Sequence, residues 1–158
     1  MRLEFLSQSP KETQALAKNF LLQFRSFDKP LVLALSGNLG AGKTTFTQGL
    51  AKGLGIKDRV ISPTFVVMKS FLIPQKRKRS VSRGVGGSLR DKKFFWHVDC
   101  WRLGQSDFEY LGLKEILKNP ENIVCLEWAE KVKKLLPKNA IHFDFKHAKG
   151  NKRIIFIK

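Results

Sequence analysis

The chain has 158 residues, 42% of them hydrophobic and 11% aromatic, which is enough for one domain with a core and too little for two. Thirty Lys and Arg against thirteen Asp and Glu give a formal charge of +17, so a polyanion such as nucleic acid, a nucleotide or an anionic surface is the expected partner. No apolar run reaches the roughly 18 residues of a membrane span, Glu4 and its polar neighbours break up the start where a secretory signal is apolar, and Cys100 and Cys125 form no CxxC pair. A cytoplasmic protein without a disulfide framework or cysteine-rich zinc site is expected.

In chain order, Ser9, Pro10 and Glu12 carry the signals of a helix start: a capping hydroxyl, a proline at the first helical position and an acid that closes a capping box. Leu16, Phe20, Leu21 and Phe24 then recur at helical spacing, predicting a helix to about Phe24 that lies on the core. Leu31 to Leu35 is short, apolar and bounded by turn formers, as a buried parallel strand is. A second helix is predicted from Lys43 to about Leu54, closed by Gly53 and Gly55. Thr64 to Ile73, Phe94 to Val98 and Ile123 to Leu126 read as strands, the last two running into Asp99 and Glu127. Phe108 to Leu117 has the spacing of an amphipathic helix. Ala140 to Phe145 and Arg153 to Ile157 flank a Lys-Gly-Asn turn and read as a hairpin. The predicted fold class is α/β, one domain over residues 1–158 with a mainly parallel central sheet and an antiparallel C-terminal extension. Residues 74–93 stand apart: eight basic residues, one acid, three glycines and no aromatic leave almost nothing to bury, so a mobile basic insert is expected.

The strongest chemical signal is Gly37 to Thr44, GNLGAGKT, which fits the phosphate-loop pattern G-x-x-x-x-G-K-[ST], lies between a predicted strand and a predicted helix, and makes the expected domain a P-loop NTPase. In that context the backbone N–H groups of Gly37, Asn38, Leu39, Gly40, Ala41 and Gly42 and the helix N-terminus face phosphate oxygens. Lys43 reaches the β- and γ-phosphates, Thr44 binds Mg²⁺, and Thr45 adds a hydroxyl near the α-phosphate. Such a site needs a further acid on a neighbouring strand. Asp99 and Glu127 are the two candidates, and spacing alone does not say which organises the metal and which orients the attacking water. Ser62, Pro63 and Thr64 follow the predicted helix by a short link and fit either a γ-phosphate-sensing hydroxyl or an ordinary turn.

These motifs taken together resemble the bacterial TsaE (YjeE) family. The segments GNLGAGKTTFTQGLAKGLG, SPTF, HVDCWRL, DFEYLGLKEIL and VCLEWAE carry the likeness in order and spacing over about residues 9–155. The resemblance implies a Mg²⁺-dependent ATPase of the pathway that makes N6-threonylcarbamoyladenosine at position 37 of tRNAs. Its implied partner is the threonylcarbamoyl-transferase complex of two ASKHA-fold subunits, whose multiple turnovers it supports. The residue roles it implies are Thr44 and Glu127 as Mg²⁺ ligands, Asp99 as the acid that positions water, Lys43 on the phosphates and Thr64 as the switch residue. Trp128 is the implied aromatic neighbour of the site, and the regions of Pro10 to Thr13 and of Arg153 are the implied approaches to the nucleotide. Trp101 stands where the family has a tyrosine, and the 74–93 insert enters where the family has a short connection. The insert reads as either a tRNA-phosphate contact or a solvated loop.

Two other functions compete at this level. A small-molecule kinase uses the same loop but needs a lid and an acceptor pocket, for which 158 residues leave little room. A basic RNA-binding module with a regulatory nucleotide site would rest on the net charge, with steep loss of affinity in salt as its mark.

Overall fold

In a computed structural model of the chain, residues 3–24, 29–63, 65–74 and 93–158 are described. The predicted switch residue Thr64 and nearly all of the basic insert, residues 75–92, lie outside them.

Seven strands form one sheet: β1 (Leu3–Ser7), β2 (Leu31–Gly37), β3 (Met68–Leu72), β4 (Phe94–Asp99), β5 (Asn122–Glu127), β6 (Ile141–His147) and β7 (Arg153–Ile157), in the spatial order β1-β7-β6-β2-β5-β4-β3. The central four, β6, β2, β5 and β4, are mutually parallel. β3 pairs antiparallel with β4 at one edge, and β7 and β1 extend the other edge antiparallel. The central strands are thus parallel and the C-terminal hairpin antiparallel, as expected from the sequence. The antiparallel edge strands β1 and β3 were not expected as such.

Alternation along the strands divides the core in two. From β2, Leu31, Leu33 and Leu35 face the cluster that holds Phe46, Leu50 and Phe143, while Val32 and Ala34 face the cluster of Phe108, Leu113 and Val132. The first face is covered by α1 (Pro10–Leu21) and α2 (Lys43–Gly53), the second by α3 (Gln105–Tyr110), α4 (Leu113–Lys118) and a 3-10 segment, Ala129–Leu135. A strand buried on both faces has no polar alternation, which is why β2 reads LVLAL.

Local signals set the helix ends. The Ser9 hydroxyl accepts from the Glu12 N–H at 3.2 Å, and Pro10 opens α1. The Glu12 carboxylate, however, accepts from the N–H of Gln8 at 2.8 Å rather than from Ser9. The single helix predicted over 108–117 is two short ones, because the chain turns at Gly112 with φ 76°. The strand predicted from Thr64 starts only at Met68. Pro63 O accepts from the N–H groups of both Val66 and Val67, a turn that occupies the chain before pairing with β4 begins.

Candidate functional site

The site lies at the carboxyl ends of the parallel strands, the place where open α/β sheets bind ligands. β2 delivers the chain into the Gly37–Thr44 loop, and α2 starts at Lys43 with Gly42 as its N-cap. Gly42 has φ 102°, and a Cβ there would lie 2.8 Å from Nε of Arg153. Only glycine combines that backbone with that approach. The buried Arg153 side chain donates to the Thr13 hydroxyl at 3.1 Å, so β7 and the first turn of α1 support the loop from behind.

Lys43 is buried and its ammonium donates to the carbonyls of Gly37 at 2.5 Å and Asn38 at 3.0 Å. It also sits 3.6 Å from the centre of the Trp128 ring, a cation–π contact. Burial holds its pKa below the ordinary lysine value, and the carboxylates of Glu127, Glu130 and Asp99 offset only part of that. In the rest of the loop, Ala41 is buried and donates to Asn38 O, whereas Leu39 is exposed. Gly40 and Thr45 line the cleft.

Two acids meet this loop. In the parallel register of β4 and β5, Asp99 and Glu127 are cross-strand partners, so the strand-end acids seen in the sequence stand side by side. Both are nearly fully buried. Glu127 Oε2 accepts from the Thr44 hydroxyl at 2.8 Å. Its Oε1 lies 2.7 Å from His97 Nε2 and accepts from Thr47 at 3.4 Å. Asp99 Oδ2 accepts from the Ser62 hydroxyl at 2.6 Å and Oδ1 from the Trp101 N–H at 2.9 Å. Lys43, Thr44, Asp99 and Glu127 thus line one cleft of about 380 Å³ with Ser62 and the two tryptophans.

Trp128 closes one side of the cleft from an unusual backbone, φ 58°, in the left-handed region. Strain of this kind costs on the order of 1–3 kcal/mol and persists where surrounding contacts dictate it. Here the ring is held between Lys43 and Trp101, whose ring centre is 4.3 Å away. Lys131 in turn bonds the Trp101 carbonyl and lies over its ring.

Chemically, the arrangement offers an anion site and a hard-cation site next to each other. The N-terminus of an 11-residue helix and a buried ammonium favour phosphate. A hydroxyl and a carboxylate oxygen 2.8 Å apart are the hard oxygen donors that suit Mg²⁺, which keeps its remaining positions for water and phosphate oxygens. Among the described residues no group of three or more His, Cys, Asp or Glu could hold a metal ion.

The sequence reading missed Thr47 and the bonding of His97. Thr47 lies one turn beyond Thr44 on α2, and that i, i+3 spacing was the available signal. His97 precedes Asp99 by two on the same strand face, the period-2 signal that would have placed it beside the acids.

A family model described as "Threonylcarbamoyl adenosine biosynthesis protein TsaE" matches residues 7–155. The chain is 34% identical over 158 residues to the Bacillus subtilis "tRNA threonylcarbamoyladenosine biosynthesis protein TsaE", covering 98% of this chain and 84% of that one. It is 31% identical over 152 residues to the protein of the same description from Rickettsia typhi, covering 95% and 90%. Among solved structures, it resembles that of YdiB from Bacillus subtilis with a TM-score of 0.70 and 32% identity, over 99% of this chain and 84% of that one.

Proposed function

This chain belongs to the TsaE family, and we propose that it is a Mg²⁺-dependent ATPase that serves the threonylcarbamoyladenosine modification of tRNA. The observation that carries the reading is the convergence of Thr44, Glu127 and Asp99 on the mouth of the Gly37–Thr44 loop. In this reading the whole chain is one P-loop NTPase domain.

The loop N–H groups and the N-terminus of α2 bind the phosphates of ATP, and Lys43 exchanges its carbonyl partners for β- and γ-phosphate oxygens. Thr44 and Glu127 hold Mg²⁺, which when bound neutralises charge on the phosphoryl oxygens. Asp99, held at both oxygens by Ser62 and the Trp101 N–H, orients the attacking water and accepts its proton. Thr64 is the switch residue that responds to the γ-phosphate. Trp128 and Trp101 shield the reacting end from bulk water.

The partner is the threonylcarbamoyl-transferase complex, its two ASKHA-fold subunits, which supply the order or charge that makes turnover fast; tRNA is met through that complex or the basic insert, in the cytoplasm. Among the described residues no helix is long and apolar enough to cross a membrane. Calorimetric titration of Mg-ATP tests the site: wild type binds, and Lys43→Ala loses at least about tenfold in affinity, the effect of one charge-assisted phosphate contact of about 1.5–3 kcal/mol. Equal binding by both forms refutes the assignment.

A further inference from the structure

We propose that His97 is a positioning residue that fixes the rotamer of Glu127, so that Oε2 is the oxygen presented to Mg²⁺ beside Thr44. The proposal rests on the reading of Thr44 and Glu127 as the Mg²⁺ ligands. His97 is fully buried in β4, in register with Cys125 of β5 and Lys69 of β3. Its Nε2 is 2.7 Å from Glu127 Oε1. An ionised carboxylate only accepts, so Nε2 carries the hydrogen. Nδ1 is buried with no partner among the described residues, so the contact with Glu127 is the ring's one polar commitment.

The two oxygens of Glu127 are thereby given different tasks. Oε1 is turned inward onto His97, with Thr47 a longer second donor at 3.4 Å. Oε2 is left to Thr44 at 2.8 Å, at the edge of the cleft. Without the imidazole, Oε1 keeps only the long Thr47 contact, so the inward oxygen no longer pins the carboxylate against rotation about its last side-chain bond, a torsion with a broad well. Outer partners of metal ligands commonly carry about 10–100-fold in metal affinity by this means. Metal-free binding of the nucleotide depends on the loop and Lys43, and the His97 ring makes no hydrogen bond to either among the described residues.

The test uses the full chain and its His97→Ala, His97→Gln and His97→Asn variants. ATP binding is measured in EDTA and over a Mg²⁺ series, and Mn²⁺ occupancy of the ATP complex is followed by electron paramagnetic resonance. The Gln amide nitrogen reaches about where Nε2 lies, whereas the Asn amide nitrogen falls near the Nδ1 position. His97→Ala and His97→Asn are expected to raise the half-saturating Mg²⁺ and Mn²⁺ concentrations about 10–100-fold with binding in EDTA unchanged, and His97→Gln to recover most of the loss. If His97→Ala does not fold, the Gln and Asn pair carries the comparison. An unchanged metal dependence in all variants, equal behaviour of Gln and Asn, or parallel loss of binding in EDTA overturns the proposal. Wild-type ATP binding that is itself indifferent to Mg²⁺ is a different failure: it overturns the reading of Thr44 and Glu127, and this proposal with it.

Discussion

Gly49→Ala separates packing from helix propensity because the two predict opposite signs. Gly49 lies inside α2, where replacing glycine by alanine in a free helix stabilises by about 1 kcal/mol. Here, however, α1 crosses directly over it. A Cβ at position 49 would stand 2.5 Å from the Gln14 carbonyl oxygen, 2.6 Å from Gln14 Cα and 2.8 Å from Ala17 Cβ. The first two are backbone-fixed atoms, so relief requires the helices to part by roughly 1 Å. That shift strains the seating of Ala17, Phe20 and Leu21, all buried on α1. Overpacking costs about 1–3 kcal/mol, and backbone obstruction places this site at the upper end. Less the propensity gain, a net loss of about 2 kcal/mol follows. For a chain of this size that lowers the melting temperature by about 4–8 °C. Urea and thermal unfolding followed by circular dichroism read it directly. Gly53→Ala is the control: its Cβ would meet Leu21 Cδ1, a side-chain end, at 3.0 Å and Lys18 Cα at 3.2 Å, both longer than the contacts at Gly49, so it is expected to lose less. A Gly49→Ala protein as stable as wild type, or more so, refutes the close approach of α1 and α2.

Two further outcomes follow from the site and the core. Cys100 and Cys125 are fully buried, and burial pushes both thiols well above the ordinary cysteine range. Thiolate is the reactive form, so neither should react with a thiol reagent in native buffer at pH 8, and both should after addition of denaturant; fast native labelling contradicts the packing. Ser62→Ala removes one donor to Asp99, the 2.6 Å bond to Oδ2. It is expected to lower ATP turnover about 5–10-fold, worth roughly 1–1.4 kcal/mol, with nucleotide affinity unchanged in a parallel binding titration; a loss confined to affinity contradicts the placement of Asp99 on the water side.

Local chemistry made part of this molecule readable from its residues. Glycines, lysine and threonine at fixed offsets between an apolar strand and a helix identified the loop, since a phosphate site demands close backbone approach, a cation and a hydroxyl in that order. Asp99 and Glu127 were visible as acids closing two apolar strands, but that they are cross-strand partners depends on β4 and β5 being neighbours. That adjacency is a tertiary fact. The same holds for Thr44 and Glu127, joined across 83 positions. β1 was missed because LEFLS, exposed at four of five positions or partly so, lacks the buried alternation that marks a strand and is held by pairing with β7. The helix expected over 108–117 was misjudged because its apolar spacing continues across Gly112 while the backbone does not. His97 and Thr47 look like ordinary strand and helix residues until the sheet sets them against Glu127.

Multiple-turnover threonylcarbamoylation of tRNA by the reconstituted transferase components tests the central claim most directly. The comparison is no addition, this protein, and its Lys43→Ala form, all with Mg-ATP. Repeated turnover is expected only with the wild-type chain, and Lys43→Ala is expected to leave the reaction near a single round. Equal stimulation by both forms, or by neither once ATP binding has been demonstrated, contradicts it.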